Sequence, residues 1–92
     1  VLPGAWEAAD ACLYTAAGQR NRNHTGPFVR FENVPFPMEE ILFDPQTSGG
    51  LLLAAAPQDA AALEQELRAA GLPAAMVGEI LEKQTTEITV NY

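Results

Sequence analysis

The residues best suited to bind a ligand form one continuous stretch, Asp44-Pro45-Gln46-Thr47-Ser48-Gly49-Gly50. Its proline fixes one backbone angle, and its paired glycines permit positive φ and close approach by another group. Backbone N–H groups in such a bend, together with the two hydroxyl groups, can hold an anion such as phosphate. The same residue types also build ordinary turns. The candidate substrate-binding residues here are Thr47, Ser48, Gly49 and Gly50.

The surroundings of this stretch differ from those of a P-loop. A P-loop places its glycines after a strand and before a helix, with a lysine and a hydroxyl residue at its end. Here the glycines precede an apolar run over residues 51–56, which predicts a buried strand, and no lysine follows. An anion at residues 47–50 would therefore rest on backbone N–H groups and hydroxyls without a helix dipole behind it.

A second candidate binding region is the polar stretch over residues 15–27, whose turn-forming residues predict a loop. Three of the five Lys and Arg residues, Arg20, Arg22 and Arg30, lie in it or just beyond it, with His24 between them. Guanidinium groups suit phosphate oxygens, so this cluster indicates an anion-facing patch. The alternative is a solvated loop without a ligand.

Residues with catalytic chemistry are too few to build an active site in this chain. The one histidine, His24, lies in the polar stretch, and the one cysteine, Cys12, lies on the apolar stripe of a predicted helix. Such a pair cannot form a metal site, and no Gly-x-Ser-x-Gly motif presents a nucleophile. Phosphoryl transfer needs carboxylates that hold magnesium, but the acidic residues are scattered. We therefore predict no catalytic residue and no metal ligand here.

The glycine stretch and its flanks resemble one enzyme family. The string DPQTSGGLLLA, followed by a helix ending in glycine and by Met76-Val77-Gly78-Glu79-Ile80, is similar to the end of selenophosphate synthetase, also called selenide, water dikinase. Upstream, Leu2-Pro3-Gly4-Ala5 and Gln19-Arg20-Asn21 with Gly26 resemble the preceding segment of the same family. The resemblance spans essentially all 92 residues, which match only the last part of a family member.

This resemblance implies an α+β fold, with a layer of helices on one face of a mixed β-sheet, as in the C-terminal domains of aminoimidazole ribonucleotide synthetase-like proteins. Residues 1–92 are expected to be a single fragment, the C-terminal portion of the C-terminal domain of a longer enzyme. Family members convert selenide, ATP and water to selenophosphate, AMP and phosphate, with magnesium. The implied cofactors are thus ATP and Mg²⁺ in the full-length enzyme, with none bound to the fragment. The implied partners are the N-terminal ATP-binding domain of the same polypeptide and, in full length, a second copy in a homodimer.

The family also suggests roles for individual residues. Residues 44–50 are expected to line the cleft between domains and help to close it, and a ligand role for Thr47 or Ser48 is the sharper hypothesis. Arg20 and Asn21 are the further candidates for substrate contact. Thr15-Ala16-Ala17-Gly18 stands where family members usually carry Pro-Gly-Gly-Thr, so the backbone path before these two residues is left open.

Apolar periodicity predicts the elements that carry these residues. Helices are predicted over 5–13, 38–43 and 57–71. Strands are predicted over 28–31, 51–56, 74–81 and 85–92. In the second helix Glu39 and Glu40 are expected to face outward, and in the third Glu64 and Arg68 form an i,i+4 pair on the exposed side.

Charge and length narrow the function classes. The chain has 12 acidic and 5 basic residues, a formal charge of −7 that disfavours nucleic acid and anionic membranes. Together with one cysteine, the lack of a leader and the lack of an apolar run of about 20 residues, this predicts a cytoplasmic protein. Two alternatives stay open. One is a non-catalytic interaction or regulatory module of the same fold, and the other is a fragment of another ATP-using relative, such as a thiamine monophosphate kinase-like protein.

Overall fold

Five short elements precede the glycine stretch and two follow it in the computed structural model, which describes residues 1–46 and 48–92. They are α1 (Ala5–Asp10), α2 (Ala16–Thr25), a 3-10 turn (Gly26–Phe28), β1 (Val29–Glu32), α3 (Phe36–Phe43), α4 (Pro57–Ala69) and β2 (Ile88–Asn91). The chain divides into a first unit, Val1–Ser48 with Lys83–Tyr92, and a second unit, Gly49–Glu82. Helices with a small sheet confirm the predicted α+β class.

The sheet belongs to the first unit and joins distant parts of the sequence. β1 and β2 run parallel, in a register that pairs Val29 with Ile88 and Glu32 with Asn91. Just before the ladder, the N–H of Glu87 donates to the carbonyl of Phe28 at 3.1 Å. The strands predicted over 28–31 and 85–92 are therefore confirmed, the latter in shortened form.

Apolar burial in the first unit is small and centres on α1 and α3. Ala9 and Phe43 are its buried apolar residues, and the Phe43 ring meets that of Phe31 edge-on, with centroids 5.6 Å apart. The prediction that Cys12 lies on a buried stripe is wrong, because α1 ends at Asp10 and Cys12 is exposed with φ of 60°. A left-handed residue is a common way to end a helix.

Residues 16–25 form a helix, so the loop predicted over 15–27 is wrong. The segment lacks the apolar stripe that normally reveals a helix, and Gly18, Asn21 and Asn23 have low helix propensity. Thr15 caps the helix, since its hydroxyl accepts the N–H of Gly18 at 3.0 Å. Contacts with α3 stabilise the helix further, as described below.

In the second unit, α4 matches its prediction and the segments beside it do not. The helix begins at Pro57, and Gly71 follows it with φ of 80°. The predicted pair of Arg68 with Glu64 is present at 2.6 Å, but only Arg68 is exposed, since the Glu64 side chain is 20% exposed. Residues 51–56 and 74–81 are not strands. A strand needs a hydrogen-bonded neighbour, and this chain supplies none to either segment within its described residues.

Candidate functional site

A polar interface between α2 and α3 positions the start of the glycine stretch. Nη2 of Arg22 lies 2.6 Å from a carboxylate oxygen of Glu39, and its Nε lies 2.7 Å from Oε1 of Glu40. Nε of Arg22 and Oε1 of Glu40 are close but not aligned for a hydrogen bond, so their contact is an ion pair. Glu40 also accepts a short hydrogen bond from the amide of Gln19.

Glu40 is only 2% exposed, which corrects the prediction that it faces outward. A buried carboxylate is costly unless it is paired, and Arg22 provides that pairing. The guanidinium also lies over two aromatic rings, 5.1 Å from the centroid of Phe36 and 5.0 Å from that of Phe43. Arg22 therefore holds the first unit together, and its charge is largely satisfied within the fold.

The three predicted anion-binding arginines thus differ in their surroundings. Arg22 is paired as described, and Arg30 forms an ion pair with Glu32 on β1. Arg20 is exposed and has no ion-pair partner in the described part of the chain. His24 is exposed near the end of α2. Of the cluster, Arg20 is the cation with most freedom to meet a ligand.

The beginning of α2 holds the end of α3 through a group of residues that we call the loop anchor: Thr15, Gly18, Asn21, Phe43 and Asp44. The Thr15 hydroxyl donates to Oδ1 of Asp44 at 2.7 Å, and the Asn21 amide donates to the carbonyl of Phe43 at 2.9 Å. A Cβ at Gly18 would lie 3.3 Å from the Thr15 hydroxyl oxygen and 3.6 Å from Cα of Asp44. The absence of a side chain at Gly18 therefore lets α2 approach this point.

The glycine stretch itself continues from the loop anchor. Thr47 lies outside the described residues. Ser48 is exposed with φ of 53°, and Gly49 and Gly50 are also exposed, with no atom within 4 Å of a Cβ built at Gly50. The boundary between the two units falls between Ser48 and Gly49. The donors proposed for ligand binding are accessible, and their ligand roles stay predictions.

Asn21 has a role in the fold that the sequence did not suggest. Its amide nitrogen is engaged with the Phe43 carbonyl, which leaves its side-chain oxygen for other contacts. Thr15 was not among the predicted site residues, whereas Asp44 was predicted as the first residue of the glycine stretch. The signal for Thr15 was its type and place, since threonine is a good N-cap residue and two alanines follow it directly.

A cleft of about 310 Å³ lies in the first unit between α1 and α3. Its polar lining includes Tyr14, Thr15, Glu40 and Asp44. The pKa of Tyr14 is raised above its usual value, first by the electrostatic interaction of its phenol with the Cys12 side chain and then by desolvation. The carboxylate of Glu40 adds to this effect.

The described residues contain neither a candidate metal site nor a helix that could span a membrane. No cluster of three or more His, Cys, Asp or Glu side chains within residues 1–46 and 48–92 is placed to hold a metal ion. Over the same ranges, every helix is too short or too polar to traverse a lipid bilayer.

Comparison with known proteins identifies the relatives of this chain. Residues 15–91 match the family model for the C-terminal domain of AIR synthase related proteins. A selenide, water dikinase of Agathobacter rectalis is 55% identical over 92 residues, which cover 99% of this chain and 27% of the relative. Selenide, water dikinases of Desulfitobacterium hafniense strain Y51 and Pelobacter propionicus are 47% and 44% identical, over 91% and 96% of this chain and 25% and 26% of the relatives.

The chain spans about a quarter of the length of these curated relatives. No solved structure matches it. The match of the family model over residues 15–91 includes α2, α3, the loop anchor, the glycine stretch and both strands. The chain therefore belongs to the family of C-terminal domains of AIR synthase related proteins.

Proposed function

We propose that this chain is the C-terminal portion of the C-terminal domain of a selenide, water dikinase. The longer cytoplasmic enzyme would convert selenide, ATP and water to selenophosphate, AMP and phosphate, and the chain alone would be inactive. The observation that carries this proposal is the 55% identity over 92 residues to a relative of that name. The glycine stretch lies inside the matched region.

Within that enzyme, the glycine stretch would help to close the active-site cleft over the substrates. The residues that would contact the substrate, through hydroxyl and backbone N–H groups, are Thr47, Ser48, Gly49 and Gly50. Arg20 and Asn21, both on α2, would provide further substrate contacts. The accessibility of Ser48 and Arg20 supports this role. The loop anchor supports it as well, because its hydrogen bonds hold Phe43 and Asp44, where the stretch begins.

ATP and Mg²⁺ would be held mainly by the N-terminal domain of the same polypeptide. Magnesium prefers carboxylate oxygens in octahedral arrangement, and the described carboxylates do not form such a group. Bound there, Mg²⁺ would neutralise charge on the transferring phosphoryl group. This chain's contribution would be to orient the substrate and exclude water, and the full-length enzyme would form a homodimer.

A chimera tests this proposal. In the Agathobacter rectalis relative, the matching C-terminal region is replaced by these 92 residues, and release of AMP is measured with and without selenide. We expect selenide-dependent AMP release from the chimera and none from the isolated chain. An inactive chimera that folds and binds ATP would contradict the proposal, as would turnover by the isolated chain.

The ligand role of the hydroxyls needs its own variant. The double change Thr47→Ala and Ser48→Ala in the chimera should lower kcat/KM at least about tenfold if both groups contact substrate. Thr25→Ala is the matched control, because its hydroxyl is exposed and donates only to the Asn21 carbonyl within α2. Unchanged activity and nucleotide affinity in the double variant would remove the ligand role.

A further inference from the structure

Two segments of the second unit lie outside any helix or strand and have unpaired backbones. They are residues 50–55, which lead towards α4, and residues 75–82, which follow it. The N–H and C=O groups of residues 50–55 and 75–82 make no hydrogen bond to any other backbone group of the described chain. Buried backbone groups are almost always paired in folded proteins, so these groups need water or a partner.

The side chains of both segments are those of interior strands. The runs Leu-Leu-Leu-Ala-Ala-Ala and Ala-Ala-Met-Val-Gly are continuously apolar and do not alternate with polar residues. Such runs are typical of parallel strands that are covered on both faces. Yet Leu51 and Leu52 are 88% and 86% exposed, and Val77 and Ile80 are 79% and 83% exposed. A soluble domain rarely leaves so much contiguous apolar surface uncovered.

The space between the two segments is a mostly apolar cleft. A cleft of about 590 Å³ is bounded by residues 50–53 on one side, residues 72–78 on another, and α4 above them. The α4 side chains that line it are Ala60, Leu63, Glu64 and Leu67, of which only Glu64 is charged. The order of these segments along the chain, with one helix between them, is that of a βαβ unit, whose strands run parallel.

We propose that a β-strand from the part of a selenide, water dikinase polypeptide not covered by this chain inserts between residues 51–56 and 74–80. The inserted strand pairs with the backbone of both segments, and its apolar side chains pack against Leu63 and Leu67 of α4. All three then form one sheet layer beneath the helix. The proposal rests on the proposed function, which places this chain in a longer polypeptide, and on this cleft.

The source of the strand follows from what is available to fill the cleft. The relatives carry about three quarters of their length outside the matched region, so a tethered strand is present at high effective concentration. A second copy of this chain is a poorer occupant. A segment taken from a second copy would leave its own cleft unfilled, and such head-to-tail insertion gives open-ended chains.

Hydrogen exchange provides the first test, on the isolated chain and on the chimera described above. We expect amides of residues 51–55 and 75–80 to exchange at least about 100-fold more slowly in the chimera, because strand pairing protects them. Amides of α4 serve as the internal reference. Equal exchange rates in the two proteins would overturn the proposal. So would protection in the isolated chain that grows with its concentration, which would indicate pairing between copies.

Photo-crosslinking identifies the occupant independently of stability. A photoreactive phenylalanine analogue is placed at Leu53, which lines the cleft, and in a control at Gln84, which lies outside it. In the chimera, Leu53 should crosslink within the same molecule to the part derived from the relative, and Gln84 should give a different pattern. Crosslinks between two molecules, or to β1 or β2, would overturn the proposal. A chimera that shows slow exchange and the expected crosslink but has no activity would support the inserted strand and contradict the proposed function. A chimera that is active but shows neither slow exchange nor the crosslink would support the proposed function and contradict the inserted strand.

Discussion

The Nε atom of Arg22 lies 2.7 Å from Oε1 of Glu40, a carboxylate that is only 2% exposed. This pair crosses from α2 to α3 in a unit whose buried apolar residues are Ala9 and Phe43. With so little apolar burial, polar contacts must specify how the two helices meet. The interface between α2 and α3 therefore sets the position of Asp44, where the glycine stretch begins.

Glu40→Ala should be the most damaging carboxylate change in the first unit. It leaves the partly buried guanidinium of Arg22 and the amide of Gln19 without their shared partner, at a cost of about 3 kcal/mol. Glu39→Ala is the control, because the pair of Glu39 with Arg22 is more exposed and should contribute about 1 kcal/mol or less. Urea unfolding followed by circular dichroism measures both. Equal losses of stability would show that the burial of Glu40 is unimportant.

The same interface explains why α2 was not predicted from the sequence. Periodicity reveals a helix through its apolar stripe, but α2 contacts α3 through Gln19, Asn21 and Arg22, which look like solvent-facing residues. Glu40 was placed outward for the same reason. By contrast α4, which keeps an apolar stripe and a glycine stop, was predicted closely. Polar packing depends on partners that are distant in sequence, so local patterns do not show it.

The two strands predicted in the second unit were wrong for a different reason. Their composition indicated strands over 51–56 and 74–81, but strand formation depends on a neighbouring backbone that local sequence does not specify. The predictions of β1 and β2 were correct, since these two segments form hydrogen bonds with each other within this chain. The candidate ligand residues of the glycine stretch were identified from their residue types and from the family resemblance. The contacts of the loop anchor were found only in the structure, because they join residues distant in sequence.

Thr15→Ala should weaken the loop anchor by about 1 kcal/mol. The change removes the N-cap acceptor for Gly18 and the hydrogen bond to Asp44. Thr15→Ser keeps both contacts and should restore most of the stability. Thr25→Ala is the position-matched control with an effect of about 0.5 kcal/mol or less. Thermal unfolding measures all three variants. Failure of serine to restore stability would argue against the hydroxyl's role.

Gly18→Ala should destabilise the first unit more than Gly26→Ala. Alanine at Gly18 would press on the Thr15 hydroxyl at 3.3 Å and on the backbone of Asp44, so it should destabilise despite its better helix propensity. At Gly26, φ is −51° and no atom beyond its chain neighbours lies within 4 Å of a new Cβ, but Pro27 disfavours a helical backbone at a preceding residue that has a Cβ. The entropic gain and this local strain oppose each other, so the net effect at Gly26 should be about 0.5 kcal/mol or less. Unfolding midpoints compare the two. A loss at Gly18 no larger than that at Gly26 would show that α2 and Asp44 have room to separate.

Tyr14 should titrate above the usual tyrosine pKa in the folded chain, because its electrostatic interaction with Cys12, desolvation and the carboxylate of Glu40 all oppose its negative charge. The phenolate is then less favourable in the folded than in the unfolded state. The stability associated with Tyr14 is therefore fully present below the unfolded pKa of about 10 and is lost as the pH rises through the folded pKa. Ultraviolet absorbance of tyrosinate measures this titration, in a Tyr92→Phe background that leaves one tyrosine. Cys12→Ser should move the midpoint down towards the ordinary value, since serine removes the largest contribution. An unchanged midpoint in that variant would show that Cys12 does not influence the phenol.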